Sequence, residues 1–215
     1  MTFINEEDRK AITKEFEKLE EKAKLILFTQ KLECRYCEET RMLLEEVASL
    51  SDKIELTVYN FLVDKDQVAK YKVDKIPAIV IEGKKDYGIR YYGIPSGYEF
   101  GSLIEDIIDV SRGKTDLAEE TKEKLATLAT PVHLQVFVTP TCPYCPQTVR
   151  LAHKFAIESD LVTADMVEAI EFPHLSQRYE VSGVPKTVIN EYHHIVGAYP
   201  EPMFIEEVLK GATGG

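Results

Sequence analysis

The sequence predicts an α/β protein made of two repeated units, each with a central mixed β-sheet flanked by helices. The main observation is a repeat with an offset of 108 residues, in which Cys34 and Cys37 recur as Cys142 and Cys145. In both copies, an apolar residue is followed by a proline that lies 43 residues after the first cysteine. Such a shared spacing indicates duplication of one supersecondary unit. We therefore divide the chain into units at residues 1–113 and 114–215.

Each unit is predicted to begin with a helix, at residues 6–23 and 116–129, with Asn5 and Thr115 as the N-caps. A short apolar strand follows, at residues 25–29 and 134–139. The cysteine pair then opens a second helix, because apolar residues recur there at helical spacing. These residues are Met42, Leu43 and Val47 in the first unit, and Val149, Leu151 and Phe155 in the second. Pro143 suits the first helical position, where a missing N–H costs nothing.

The rest of each unit is predicted to contain a strand, a short helix, a hairpin and a final helix. The strands are expected at residues 54–59 and 166–170, and the short helices end near Tyr71 and Tyr179. After the proline, hairpin strands are expected at 78–81 and 89–92, and at 186–189 and 195–198. The junction between the units is predicted at residues 111–114.

Charge and hydropathy exclude several classes of function. Both units are acidic, within a formal net charge of −11, and binding to a phosphate backbone needs clustered cations, so we expect no nucleic-acid partner. No apolar stretch is long enough to span a membrane, and the polar, acidic N-terminus does not resemble a secretion signal. A cytoplasmic location is therefore expected. Abundant Glu and Lys with few Asn and Gln favour a thermophile, where intracellular disulfides are commoner.

A Cys-X-X-Cys sequence between a strand and a helix has the chemistry of thiol–disulfide exchange. The first cysteine is expected at the helix N-terminus, where free N–H groups and the helix dipole favour a thiolate. The second thiol, one turn later, can close the ring and release a mixed disulfide. We therefore predict that Cys34 and Cys142 attack, that Cys37 and Cys145 resolve, and that no cofactor or metal is needed.

Three other interpretations of the cysteines remain open. The four could form one zinc site, but structural ribbons separate their pairs by about 15–20 residues, whereas 104 residues lie between Cys37 and Cys142. They could be structural disulfides, although such small rings constrain little of the unfolded chain. They could be buried inert thiols, which the paired spacing disfavours. None of the five histidines shows the spacing of a metal site or a catalytic triad.

The two proline motifs, Ile76-Pro77 and Val184-Pro185, also have two interpretations. They could be ordinary prolines at the start of a strand. Their equal spacing after the two cysteine pairs favours a further role. A cis X-Pro bond would turn the preceding backbone towards the sulfur and offer a substrate peptide an edge to pair with.

Cys142-Pro-Tyr-Cys145 is the tetrapeptide of glutaredoxin active sites, and with Val184-Pro185 the second unit resembles a glutaredoxin or thioredoxin domain. With Cys34-Arg-Tyr-Cys37 in front, the chain resembles the glutaredoxin-like protein disulfide oxidoreductases of thermophilic archaea and bacteria. The resemblance implies tandem thioredoxin folds and a role in making, breaking or reshuffling protein disulfides. It also implies a flavin-dependent, NADPH-linked thioredoxin reductase as the recycling partner.

The sequence departs from the thioredoxin pattern where that family carries a buried Asp, six residues before the first cysteine. Phe28 and Val136 occupy these positions. Glu168, on a neighbouring strand, is a candidate replacement in the second unit, and its counterpart in the first is Asn60. The Gly-Gly-X-Asp element that holds glutathione in glutaredoxins is also missing after both hairpins.

The residues between the cysteines are expected to tune the thiolates differently at the two sites. Arg35, beside Tyr36, favours a thiolate at Cys34, but three neighbouring glutamates (Glu33, Glu38 and Glu39) oppose it. Pro143 and Tyr144 add no charge. The pair at Cys142 should therefore dominate reduction. A different class of function, a redox relay or adaptor that passes electrons to a partner such as a peroxidase system, remains the alternative.

Overall fold

A computed structural model describes residues 3–213, in which helices and strands alternate in two similar units. The first unit contains, in chain order, α1 Glu6–Phe16, β1 Ala23–Thr29, α2 Cys37–Ala48, β2 Ile54–Asn60, α3 Lys65–Lys70, β3 Ala78–Glu82, β4 Asp86–Tyr92 and α4 Glu99–Arg112. The second contains α5 Glu119–Ala126, β5 Val132–Val138, α6 Cys145–Glu158, β6 Val162–Glu168, α7 Pro173–Arg178, β7 Lys186–Ile189, β8 His193–Val196 and α8 Glu201–Thr213. The predicted α/β class with two thioredoxin-like units is confirmed.

The strands of both units form one mixed sheet in the order β2-β1-β3-β4-β6-β5-β7-β8. In the first unit, β1 is parallel to β2 and antiparallel to β3, which is antiparallel to β4; the second unit repeats this pattern. The two halves join through β4 and β6, which are parallel, with Ile89 opposite Ala164. Consequently β1 and β5 end at the same edge of the sheet, which we call the carboxyl edge. They lie four strand positions apart, or about 19 Å.

Helices cover both faces of the sheet. On one face, apolar side chains of α1, α2, α4, α5, α6 and α8 form the larger core cluster. On the other face, a smaller cluster forms around Phe28 and Phe137, with Tyr71, Phe172 and Tyr179 from the ends of the short helices and the loops beside them. Within residues 3–213, no helix combines the length and the apolar character that crossing a membrane requires.

The first helix of each unit is shorter than predicted. The helix α1 ends at Phe16, and residue 23 already belongs to β1, where Ala23 lies opposite Ile54. The Lys53 ammonium donates to the Leu19 and Glu20 carbonyls, so the chain turns there instead of continuing as helix. Asn5 caps α1 as predicted, since its side chain accepts from two N–H groups of the first turn.

In the second unit, the prediction of Thr115 as a helix cap was wrong. The helix α5 begins at Glu119 after Ala118. The backbone N–H and the hydroxyl of Thr115 both donate to Glu158 Oε1, at 2.7 and 2.6 Å, so this side chain is committed to α6 instead. Two strands also end two residues earlier than predicted: β6 ends at Glu168 instead of residue 170, and β8 ends at Val196 instead of residue 198.

The cysteine helices begin one turn later than predicted. α2 and α6 begin at the second cysteine of each pair, Cys37 and Cys145, and the first cysteine lies in the preceding turn. Pro143 therefore precedes α6, and the proline in the first helical turn is Pro146. The first thiol still lies beside the free N–H groups of a helix start, which is the part of the prediction that matters for its chemistry.

A buried polar network joins the two units on the face covered by α4 and α6. Asp106 of α4 is completely buried and accepts from Arg150 and from His153 Nδ1, both on α6, and from the Tyr91 hydroxyl of β4. Burial lowers the pKa of His153 to about 3, so the imidazole is neutral and Nδ1 carries the proton. Arg150 also pairs with Asp109 at 2.5 Å.

Candidate active sites

Both cysteine pairs lie in turns at the carboxyl edge of the sheet. We call Cys34 and Cys37, with Ile76-Pro77, site one, and Cys142 and Cys145, with Val184-Pro185, site two. Each pair is closed as a local disulfide with a Cα–Cα distance of 5.5 Å. The second cysteine of each pair is almost completely buried, whereas Cys34 is half-exposed and Cys142 is 7% exposed. The first cysteine is therefore the more accessible of each pair.

The residues between the cysteines differ in charge and in their contacts at the two sites. The Arg35 guanidinium lies 5.1 Å from the centre of the Tyr36 ring, in a cation–π arrangement at the surface. In site two, Pro143 and Tyr144 are exposed and uncharged. Arg35 thus adds a cation at site one, and site two has no equivalent.

The two proline motifs lie beside the cysteine turns. β3 starts at Ala78, which lies opposite Phe28 near the end of β1, and Lys186 lies opposite Phe137 in the same way. Both X-Pro bonds are cis, and both prolines are buried. The Pro77 and Pro185 carbonyls accept from the N–H groups of Gly93 and Gly197, at 3.0 and 2.8 Å.

The residues before these prolines remain open to a ligand. Ile76 and Val184 are half-exposed, and within residues 3–213 their backbone groups have no hydrogen-bond partner. Such unpaired backbone groups can bind an extended peptide in the manner of an added strand.

Sequence analysis missed a buried carboxyl near site two. Glu99, the first residue of α4, is 1% exposed, and within residues 3–213 neither of its carboxyl oxygens has a hydrogen-bond partner. Burial raises the pKa of Glu99 to about 7. The preceding loop packs on the turn of site two, since the Tyr98 N–H donates to the Pro140 carbonyl at 3.2 Å.

The level of Glu99 along α6 follows from the network described above. α4 and α6 both start at the carboxyl edge and run side by side, with Asp106 bonded to His153 at 2.5 Å. Glu99 precedes Asp106 on α4 by seven residues, and Cys145 precedes His153 on α6 by eight. Both residues are therefore about two helical turns nearer the carboxyl edge. Glu99 is therefore level with Cys145. A carboxylate that recurs on the apolar face of a helix, as Glu99 and Asp106 do, is the sequence signal that could have revealed it.

Glu168, the candidate replacement for the missing Asp, ends β6 opposite Val138. Burial raises the pKa of its carboxyl, and Oε2 accepts the Glu171 N–H at 2.6 Å. Its bond is thus to the loop before α7, and no bond joins it to a cysteine. Its predicted effect on the thiolate of site two remains a prediction. Within residues 3–213, no group of three or more His, Cys, Asp or Glu residues could hold a metal ion.

Comparison with known proteins gives consistent matches. A sequence model described as a thioredoxin domain matches residues 24–105 and 132–210. The structure is similar to that of a protein disulfide oxidoreductase from Aeropyrum pernix K1, with a TM-score of 0.93 and 31% identity over 100% of this chain and 96% of that chain. It is also similar to the NTD_N/C domain of alkylhydroperoxide reductase AhpF from Enterococcus faecalis, with a TM-score of 0.89 and 27% identity over 96% of this chain and 100% of that chain.

A curated relative is much longer than this chain. An NADH dehydrogenase of Bacillus subtilis is 22% identical over 174 residues, which cover 80% of this chain and 31% of that protein. The chain therefore spans less than a third of the length of that relative.

Proposed function

Because the chain belongs to the thioredoxin-domain family, in its branch of glutaredoxin-like protein disulfide oxidoreductases, we propose that it reduces, forms or isomerises protein disulfides at two sites. The observation that carries the proposal is the presence of two closed Cys-X-X-Cys rings at one edge of a sheet, each beside a proline loop with unpaired backbone. We propose that the two units comprise residues 1–113 and 114–215. We also propose that the protein is located in the cytoplasm.

In the reducing direction, the thiolate of the first cysteine attacks one sulfur of a substrate disulfide. That S–S bond breaks, the departing substrate thiolate takes a proton, and a mixed disulfide forms. The second cysteine loses its proton and attacks the sulfur of the first, which releases the other substrate thiolate, and this thiolate also takes a proton. The ring closes, and two electrons and two protons have passed to the substrate. Oxidation of a substrate dithiol is the reverse sequence.

At site two, Glu99 is suited to accept the proton of Cys145. The two residues are level on neighbouring helices, and a carboxyl with a pKa of about 7 can both take and return a proton near neutrality. Glu99→Gln should slow release of the mixed disulfide by about 100-fold, the lower end of what a positioned proton acceptor contributes. Rapid-quench measurement of that step tests this, with site one, which has no such residue from α4, as the control.

Substrate is proposed to bind in extended form along Ile76 or Val184. Their unpaired backbone groups can pair with a peptide on either side of its cysteine, which would align the sulfur with the attacking thiol. Such binding depends on the backbone of the substrate and not on its side chains, so it is compatible with many protein substrates. A flavoprotein resembling thioredoxin reductase is the proposed electron donor that reopens the rings.

Insulin reduction by two variants tests the proposal. One variant has Cys34 and Cys37 changed to Ser, and the other has Cys142 and Cys145 changed to Ser. We expect the first to keep most of the reductase activity, because the negative charge around site one disfavours the Cys34 thiolate and so slows its attack on a substrate disulfide. Isomerisation of a scrambled substrate should need both sites. Absence of activity in the intact chain would contradict the proposal.

The alternative, a redox relay to a dedicated partner, is supported by the similarity to the AhpF domain. Retention of both cysteine pairs favours the oxidoreductase. The two can be separated by comparing insulin reduction with electron transfer to a peroxidase under the same reductant. A relay would transfer electrons rapidly to the peroxidase and leave insulin oxidised.

A further inference from the structure

A pair of carboxyl groups lies where the end of β6 meets the end of β4. Glu168 is 3% exposed, and its Oε1 has no hydrogen-bond partner anywhere in residues 3–213. Glu171 follows in the loop before α7 and is half-buried. Phe172, next in the chain, packs edge-on against Tyr92 at 6.5 Å, so this loop of the second unit covers the end of a strand of the first.

Glu171 bonds across the junction to the first unit. Its Oε1 accepts the Ile94 N–H at 2.7 Å. The adjacent Gly93, at φ 94°, donates its own N–H to the Pro77 carbonyl at 3.0 Å. A Cβ on Gly93 would lie 2.7 Å from the Cβ of Glu168 and 2.9 Å from Glu171 Oε1, so only glycine permits this approach. The second unit thus holds the segment that lies directly beside the proline of site one.

Closing this loop does not require a negative charge. In the first unit, Asn60 takes the place of Glu168, and its Oδ1 accepts the N–H groups of Leu62 and Val63, at 2.9 and 3.1 Å. A neutral amide therefore accepts the backbone N–H groups of the equivalent loop in the first unit. Since burial of an ionisable carboxyl without full hydrogen bonding is costly, the acidic pair in the second unit needs another explanation.

The charges around Glu171 belong largely to site one. Burial is the main cause that raises the pKa of Glu171 to about 7; Glu168 of β6 and Glu39 of α2 add to the rise, and the Ile94 N–H and Arg35 of the site-one turn oppose it. Glu171 thus lies within electrostatic reach of Arg35, one of the two residues between Cys34 and Cys37. A group with this pKa changes its charge within the neutral range.

We propose that Glu171, supported by Glu168, is a positioning residue of site one that the second unit supplies, fixing the segment beside Pro77 and setting the acidity of the Cys34 thiol. The inference rests on the proposed thiol–disulfide function and deepens it. An ionised carboxylate at Glu171 disfavours the Cys34 thiolate by like-charge repulsion and so destabilises the reduced form. Site one becomes more strongly reducing as Glu171 ionises, because a less stable dithiol donates its electrons more readily.

The test uses the full chain with Cys142 and Cys145 changed to Ser, so that only site one reacts. The rate at which iodoacetamide alkylates Cys34 in the reduced protein is measured from pH 6 to 9, and the redox equilibrium with glutathione is measured at pH 8. Glu171→Gln should increase alkylation at pH 8 by about two- to fourfold, as expected for removal of one nearby charge partly screened by solvent. It should also abolish the inflection near pH 7 and make site one more oxidising.

Two further variants make the result decisive. Glu168→Gln can keep the loop hydrogen bond, as Asn60 does in the first unit. It should increase the alkylation rate of Cys34 by a smaller factor than Glu171→Gln does. If Glu171→Gln does not fold, Glu168→Gln serves as the test of the inference. Glu123→Gln removes an equal charge from an exposed position on α5 and should change nothing. An unchanged pH profile in the folded glutamine variants at 168 and 171 would overturn the inference. A shifted profile, together with no insulin reduction by the chain that keeps all four cysteines, would instead refute the proposed function.

Discussion

Changing Glu99 to Gln should stabilise the oxidised protein at alkaline pH. The folded structure raises the pKa of Glu99 from 4.5 to about 7 through burial, and each pKa unit corresponds to about 1.4 kcal/mol. Above pH 7 the carboxyl is ionised in both states, so the folded state bears the full cost, about 3 kcal/mol. The cost decreases as pH falls from 7 to 4.5 and disappears below 4.5, where both states are protonated. Glu99→Gln removes it.

Guanidinium denaturation of the oxidised protein at pH 8 and pH 4.5 measures this effect. We expect a gain of about 3 kcal/mol in the free energy of unfolding at pH 8 and little change at pH 4.5. Glu123→Gln, which removes an exposed charge, should give no gain at either pH. An equal gain at both values of pH would show that Gln improves packing, and no gain at pH 8 would show that Glu99 is not buried as an unpaired acid. A chain that keeps so costly a group is expected to use it chemically.

Three other predictions address the chemistry, the junction and the first helix. Cys145→Ser should trap a mixed disulfide through Cys142, seen by mass spectrometry after trypsin digestion; trapping by a Cys142→Ser protein would reverse the assignment of the two thiols. Arg150→Met should lower the free energy of unfolding by about 3–5 kcal/mol, because the buried Asp106 carboxylate loses its cation, and an unchanged denaturation midpoint would contradict this. Asn5→Ala should cost about 1 kcal/mol, the usual value for loss of an N-cap, whereas the nearby exposed Lys10→Ala should cost almost nothing.

The sequence alone was enough to predict the two units, the cysteine pairs and their proline partners. These features depend on short-range geometry. A Cys-X-X-Cys segment at a helix start brings its own ends within 5.5 Å, whatever surrounds it. The strands were found because apolar residues in short runs report burial on both faces of a sheet. Where local signals competed, the prediction failed: the helical pattern of α1 continues past Phe16, but the pairing of Ala23 with Ile54 prevails.

Only the tertiary structure decided how the two units complete one another. The pairing of β4 with β6 brings the loop that precedes Glu99 onto the turn of site two, and it brings Glu171 of the second unit onto the Ile94 N–H beside site one. Neither carboxyl belongs to a cysteine or proline motif; the recurrence of Glu99 and Asp106 on the apolar face of α4 marks Glu99 in the sequence, and no such spacing marks Glu171. The pKa values of both are raised to about 7 because chain segments distant in sequence exclude water from them. How far these two carboxyls are buried depends on the assembled sheet and its helices, which the residues next to them in the chain do not determine.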